Sequence, residues 1–367
     1  MRVLFAAGGT GGHIYPAIAV ANEVMRRDAV SSVRFVGTSR GLETKLVPQA
    51  GFELSLIESA GLMNMGWGAR LRGLAVLPKS FLDARRVIGD FRPDAVVGAG
   101  GYVSGPVLLT AVLMRRPTLV MESNAVPGFT NRRLARFVDA AAVSFEMSLP
   151  YFGGKAVVTG NPVRREFFDI PAKPRDPQRT SLLLTGGSQG ARAVNEAMIA
   201  ALPHLAGFRG RLHVTHQTGK LDFARVRAGY QAAGWDDADV REYVEDMMAE
   251  FATADLIVSR AGATTAAELM AAGKTAIMVP LPGQIEQRRN AEALRDAGAA
   301  TMILQEELSG ERLAAEIGKL IEDPEEITRR ERAARVLAKP DAAKVAVDMI
   351  EKLIAGRGQD TEHRIRN

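Results

Sequence analysis

The sequence predicts an α/β protein of two domains, each built on a parallel, doubly wound sheet, and three observations carry that prediction. The chain has 367 residues, too many for one core of ordinary size and enough for two. In its first half, short apolar runs alternate with stretches of helical spacing, the rhythm of strand and crossover helix. Half a chain later the opening arrangement returns. Ser181-Leu182-Leu183-Leu184-Thr185 leads into Gly186-Gly187-Ser188-Gln189-Gly190-Ala191-Arg192, just as Val3-Leu4-Phe5-Ala6-Ala7 leads into Gly8-Gly9-Thr10-Gly11-Gly12-His13.

Taken in order, the first strands are expected at Val3 to Ala7, Val33 to Val36, Ala95 to Val97, Thr118 to Met121 and Ala140 to Val143. The proline-rich stretch from Pro171 to Pro177 can continue neither helix nor strand and marks the passage between the halves. Further strands are expected at Leu212 to Thr215, Val240 to Tyr243, Leu256 to Ser259 and Ala276 to Val279, with helices between them. Residues 322 to 338 read as a charged, solvated helix, and Ala342 to Ile354 is apolar enough to dock. Gly356 to Asn367 reads as a frayed polar tail.

Composition narrows the function. Hydrophobic residues make up 47% and charged residues 24%, an ordinary globular balance. There is no cysteine, which excludes disulfides and thiolate metal sites and points to the cytosol, and the five histidines include no pair at metal spacing. No metal or cofactor is therefore expected. The first 20 residues do not read as a signal peptide, and no apolar run reaches the roughly 18 residues a bilayer span needs. A net charge of +5 with a pI near 9.5 admits nucleic acid, phosphates or an anionic membrane as partners, and only its distribution can choose among them.

The glycine loops carry the chemistry. A strand, a tight glycine turn and a helix start leave main-chain N–H groups free to hold an anion, and in the first loop only His13 can move a proton near neutral pH. A nicotinamide dehydrogenase does not fit, because Ile14 stands at the third glycine position of the dinucleotide fingerprint and the second strand ends in Gly37-Thr38 without an acid. A third cluster, Gly98 to Pro106, follows the strand at Ala95 to Val97 and could face the same ligand as the first loop; close packing of a helix on the sheet is the lesser alternative. In Ser259-Arg260-Ala261-Gly262-Ala263-Thr264-Thr265-Ala266-Ala267-Glu268, Glu268 could accept both hydroxyls of a ribose or merely favour a helix dipole. Asp237-Ala238-Asp239 matches a metal-binding triplet of sugar-nucleotide enzymes but sits in a polar turn and reads as solvated loop.

Together these loops resemble the MurG family of bacterial cell-wall glycosyltransferases. GGTGGH at 8–13, GGYVSGP at 100–106, GNPVR at 160–164, GGSQGAR at 186–192, SRAGATTAAE at 259–268 and Gln287 with Asn290-Ala291 stand in the family's order, from the first strand to about residue 300. The resemblance implies the GT-B fold, two Rossmann-like domains facing across a cleft with the C-terminal helix returning to the first. It puts an acceptor-binding, membrane-associating domain at 1–163 with a helix at about 341–357, and a donor domain at 164–340. It implies that UDP-N-acetylglucosamine is the donor and a polyprenyl-pyrophosphoryl muramoyl-peptide the acceptor, with no nucleic acid and with room for other cell-wall enzymes as partners. The implied place is the cytoplasmic face of the bacterial inner membrane.

Family roles then fall on Ser188 and Arg164 at the donor diphosphate, Glu268 at the ribose, Gln287 at the sugar and the main chain of Val244 at the uracil. Ala263, Thr264 and Thr265 line that site, and Tyr243 keeps an aromatic face where many members have phenylalanine. Thr10, Gly11, Gly12 and Asn124 approach the transferred sugar, while Gly9, Gly101, Tyr102 and Ser104 belong to the acceptor side. Gly283-Gln284-Ile285-Glu286 departs from the family before Gln287. The implied reaction is an inverting transfer to the C4 hydroxyl of the muramoyl sugar, with His13 as the leading base and Glu122 as the second candidate. A UDP-sugar epimerase or hydrolase of the same fold, or a silent UDP-sugar binder, are the alternatives. From residue 62 to 88, Trp67, Leu71, Leu74 and Phe81 lie among Arg70, Arg72 and Lys79, the composition of a surface that enters lipid headgroups.

Overall fold

The computed structural model describes residues 1–59, 67–174, 176 and 178–365, with side chains left undescribed at 67–75 and 358–365. The chain divides into two compact units, one made of Met1–Val163 with Lys339–Asn367, the other of Arg164–Ala338. The proline-rich stretch at 171–177 falls inside the second unit.

The first unit carries strands β1 (Arg2–Ala7), β2 (Ser32–Gly37), β3 (Glu53–Leu56), β4 (Ala95–Gly100), β5 (Thr118–Glu122), β6 (Ala140–Val143) and β7 (Ala156–Val158). They form one parallel sheet in the order β3-β2-β1-β4-β5-β6-β7. Its helices include α1 (Gly11–Arg27), α2 (Glu43–Gln49), α3 (Trp67–Phe91), α4 (Ser104–Leu113), α5 (Phe129–Leu134) and α6 (Leu149–Phe152). Alternation along β1 decides which face each residue serves. Val3, Phe5 and Ala7 join one core with Ala17, Val20 and Val24 of α1, while Leu4 and Ala6 join a second core beneath α3 and α4.

The second unit carries β8 (Thr180–Thr185), β9 (Leu212–Gln217), β10 (Asp239–Arg241), β11 (Leu256–Ser259), β12 (Ala276–Met278) and β13 (Ala300–Met302), all parallel in the order β10-β9-β8-β11-β12-β13. Its helices are α7 (Arg192–Ala201), α8 (Phe223–Ala232), α9 (Met247–Thr253), α10 (Ala263–Ala272), α11 (Ile285–Asp296), α12 (Gly310–Glu322) and α13 (Pro324–Leu337). Both sheets reverse their winding beside the first strand of the unit, between β1 and β4 and between β8 and β11. At such a switch point the connections from two neighbouring strands run to opposite faces of the sheet, and ligands bind at the strand ends between them.

The last helix, α14 (Ala342–Ile365), belongs to the first unit. Ala346, Val347 and Ile350 are fully buried in the core that α1 covers. Arg27 of α1 holds it further through Asp348 and Glu351 and through the carbonyl of Lys344. The tail expected to fray from Gly356 is instead helical to Ile365, since a docked helix propagates at little cost through residues that contain no proline. The strand expected at Val240 to Tyr243 ends at Arg241. The carbonyls of Arg241 and Glu242 then accept from Thr218 and Gly219, and the chain turns away toward the α9 cap at Asp246.

Candidate active site

In the first unit the loops after β1 and β4 lie against each other at the switch point. A Cβ at Gly101 would fall 2.3 Å from the Gly8 carbonyl oxygen, so both loops must be bare backbone there. Gly9 and Gly101 adopt φ of +91° and +80°, open to glycine and strained for other residues. Thr10 is exposed, and Gly11 and Gly12 form the first turn of α1. His13 is half-buried in that same turn, with its ring against Gly100, where a Cβ would meet Cδ2 at 2.6 Å. Its Nδ1 donates to the Gly8 carbonyl at 3.2 Å, and a carbonyl can only accept. The neutral ring therefore keeps its proton on Nδ1 and leaves the Nε2 lone pair free. Burial pushes the imidazole below its ordinary value, with the Gly8 bond and the Glu43 charge opposing that shift.

Two expected acceptor-side groups prove to be spent internally. Glu122 is 3% exposed at the end of β5. One oxygen accepts from the main-chain N–H and side-chain amide of Asn124, and the other from the N–H of Gly128 and the amide of Asn131. All four acceptor directions are filled, so it holds the loop after β5 in shape, and burial still raises its carboxyl above the usual range. Ser104 is fully buried, and its hydroxyl lies between the Ala6 and Gly100 carbonyls while accepting from the Gly100 N–H. It ties β1 to β4. Asn124 commits its amide nitrogen to Glu122, whereas Tyr102 stands half exposed.

The second unit repeats the arrangement with different chemistry. Ser188 is exposed in the loop after β8, and Arg164 is exposed with its guanidinium over the Phe167 ring at 5.0 Å. Ala263, Thr264 and Thr265 open α10 at the end of β11, and the Thr264 Oγ1 is buried with no internal partner. Glu268 follows one and a half turns on. Burial raises its carboxyl to about 7, and the nearby positive charge of Arg164 opposes that rise. Gln287, in the first turn of α11, accepts from the Leu281 N–H through Oε1 and keeps its amide nitrogen available. Tyr243 presents an exposed ring beyond β10. Val244 beside it has its N–H donated to Gln217 at 2.7 Å, which leaves only its carbonyl for the expected role at a base. Asp239, of the Asp-Ala-Asp triplet, is paired with Arg241.

Sequence reasoning missed three supporting residues. Glu43 lies buried beneath the first glycine loop. Gln217 braces the second, donating to Thr185 Oγ1 and the Gly187 carbonyl while accepting from Val244. Arg260, half-buried behind the Ser-Arg-Ala-Gly turn, donates to the carbonyls of Val279 and Pro280 and to Gln305. The glycines were the available signal. Gly41 and Gly219 each leave room for atoms that a Cβ would strike, the Glu43 carboxylate and the Gln189 carbonyl. Of the stretch read as lipid-facing, Trp67, Arg70, Leu71, Arg72 and Leu74 have side chains outside the described residues. Lys79 pairs with Glu58, and Phe81 is half-buried.

Two doubly wound parallel sheets, each with a glycine loop after its first strand, one followed by His13 and the other set in the same unit as Glu268 and Arg164, are the frame of a transferase of two Rossmann-like units. Residues 3–143 match the glycosyltransferase family 28 N-terminal domain and residues 181–346 its C-terminal domain. The chain belongs to glycosyltransferase family 28, and within it to the MurG enzymes. The UDP-N-acetylglucosamine--N-acetylmuramyl-(pentapeptide) pyrophosphoryl-undecaprenol N-acetylglucosamine transferase of Anaeromyxobacter sp. (strain Fw109-5) is 49% identical over 97% of this chain and 94% of its own length. The protein of the same description from Citrifermentans bemidjiense is 45% identical over 96% of this chain and all of its own. Among solved structures, Acinetobacter baumannii MurG superposes with a TM-score of 0.78 at 32% identity, covering 96% of this chain and 99% of that one. The Neisseria meningitidis UDP-GlcNAc 2-epimerase, at a TM-score of 0.69 and 16% identity over 96% of this chain and all of that one, shares the fold alone.

Proposed function

We propose that this enzyme transfers N-acetylglucosamine from UDP-N-acetylglucosamine to the C4 hydroxyl of the muramoyl sugar of a polyprenyl-pyrophosphoryl acceptor, with inversion at the anomeric carbon. The observation that carries the reading is a carboxyl, Glu268, within the field of Arg164 in the unit that also carries the loops at 186–191 and 260–262. A half-buried carboxyl suits a ribose diol, and an exposed guanidinium with helix N-termini suits a diphosphate. The acceptor oxygen forms a bond to C1 as the C1–phosphate oxygen bond breaks, its electron pair leaving with UDP. The hydroxyl proton passes to Nε2 of His13, whose lowered basicity keeps the ring neutral at pH 7. Arg164, Ser188 and the N-terminus of α7 take the charge of the departing diphosphate. Glu122, with its acceptors filled, orients the loop that carries Asn124. Incubation with UDP-N-acetylglucosamine should release UDP only when the lipid acceptor is present; consumption of the donor alone would favour an epimerase or hydrolase.

The acceptor stays in a bilayer, so the first unit is proposed to meet the membrane as a peripheral protein on its cytoplasmic face. No helix among the described residues is long and apolar enough to cross one. Leu82 and Leu113 are 68% and 80% exposed on the adjoining helices α3 and α4, with Arg85, Arg86 and the residues Arg115 and Arg116 close in sequence. Each basic residue near an anionic surface contributes about 1 kcal/mol. Binding to anionic vesicles should weaken as salt rises, and further when Trp67, Leu71 and Arg72 are all replaced by Ser. A triple variant that floats with vesicles like the parent would remove this stretch from the membrane face.

A further inference from the structure

Glu43, in the first turn of α2, is fully buried and faces no cation within ion-pair distance among the described residues. Its Oε2 accepts from the Gly9 N–H at 2.9 Å, and its Oε1 accepts from the main-chain N–H and the hydroxyl of Thr38 at 2.8 and 2.9 Å. Two main-chain N–H groups and one hydroxyl thus surround the group. Space for it is cut by glycines. Cβ atoms at Gly8, Gly37 and Gly41 would lie 2.9, 2.5 and 1.9 Å from its side chain. A buried charge held only by peptide N–H groups and a hydroxyl is an expensive way to pin a loop, and a neutral side chain could fill the same volume.

The peptide it pins is the one that sets His13. Gly9 N–H belongs to the amide whose carbonyl is Gly8, and that carbonyl receives the Nδ1 proton of the imidazole. A carboxylate accepting at the N–H end polarises the amide and makes its carbonyl a stronger acceptor. From these contacts we infer that Glu43 is the positioning residue of His13, acting through the Gly8–Gly9 peptide to hold one tautomer with Nε2 turned out as proton acceptor. The inference rests on the proposed role of His13 as base, although its structural part can be read without turnover. Glu43 is also the charged group whose field reaches the ring; β4 meets the ring with Gly100, which carries none. That negative charge opposes the effect of burial, so its loss should lower the imidazole midpoint further.

The test is Glu43→Gln in the full-length enzyme, with nitrogen-15 NMR of the His13 ring, turnover and UDP affinity measured together. Whichever way the amide turns, one main-chain N–H, of Gly9 or of Thr38, faces a donor. The expected results are a parent ring protonated on Nδ1 alone, a mixed tautomer with a lower midpoint in the variant, and turnover reduced about ten- to a hundredfold, the scale of small misplacement. UDP affinity should stay within about twofold, and the acid limb of the pH profile should move to lower pH. Should the variant not fold, Gly41→Ala forces the carboxylate off its seat while keeping its charge, and it should mix the tautomers likewise. Parent-like tautomer, midpoint and turnover would overturn the inference. So would lost turnover accompanied only by a lower melting temperature. If His13→Ala kept full turnover while Glu43→Gln still altered the ring, the base reading would fall and the hold of Glu43 on His13 would stand.

Discussion

The loops after β1 and β8 occupy equivalent places in two sheets of like winding, yet they are braced by opposite means. Beneath the first lies a carboxylate, Glu43, which uses up the Gly9 N–H and sends its negative field into the loop. Beneath the second lies a neutral amide, Gln217, joined to Thr185, the Gly187 carbonyl and the Val244 N–H. There backbone also presses on backbone, since Cβ atoms at Gly190 and Gly219 would strike the Thr218 and Gln189 carbonyls at 1.9 and 2.2 Å. A negative brace raises the basicity of a neighbouring imidazole and disfavours an added anion, whereas a neutral one leaves N–H dipoles free for phosphate. On the proposed reading, the same fold element serves proton transfer in one unit and diphosphate binding in the other.

The largest expected effect separates the loops outright. His13→Ala should lower turnover at least about a hundredfold while UDP affinity, measured by calorimetry, hardly changes. Turnover within a few-fold of the parent would erase the distinction and pass proton removal to water or another group.

Next comes Glu268, whose removal should act in the opposite sense. Glu268→Gln should weaken UDP by about tenfold or more through loss of charge-assisted bonds to the ribose. Because burial raises this carboxyl to about 7, the folded chain carries a proton that the unfolded chain has already released. Stability is therefore given up as pH rises toward and through about 7, while UDP, whose hydroxyls donate, prefers the ionised form. Parent affinity for UDP should accordingly climb between about pH 6 and 8 and that of Glu268→Gln should not, provided the titration of UDP itself is subtracted. Equal slopes would return Glu268 to the helix-dipole reading.

The smallest effect concerns the brace itself. Gln217→Leu leaves the buried Val244 N–H without a partner, at a cost on the order of 1–3 kcal/mol, and releases the Gly187 carbonyl to solvent. A lower melting temperature and several-fold weaker UDP binding are expected, with no change in the pH dependence of turnover. A shifted acid limb in this variant would mean that the two braces do not act separately.

What sequence could reveal follows the range of the interactions. Strand, glycine turn and helix start are local signals, so β1 with α1, β8 with α7 and β11 with α10 were legible, as was the doubly wound order they imply. The short strands β3, β7 and β13 were not. β3 and β7 are edge strands with half-exposed faces, and β13 is only three residues long. Glu43 stands 34 residues from the amide it holds and Gln217 lies 27 residues from Val244, and nothing local marks either as a brace. Glu122 and Ser104 erred the other way. Their residue types suit a ligand, but whether an acceptor is still free depends on donors that the fold delivers, such as Asn131 to the one and Gly100 to the other.

The docking of α14 on α1 sets an order of events during synthesis. The second unit is one continuous segment and can close while still near the ribosome, but the first waits for residues made after the whole of the second. At about 5–20 residues per second, roughly ten to forty seconds pass between Val163 and Ile350. During that interval Ala17, Val20 and Val24 lack the cover of Ala346, Val347 and Ile350. The nascent first unit is then a natural client for chaperones, and a stop codon ahead of residue 342 would leave that apolar face of its core open to water.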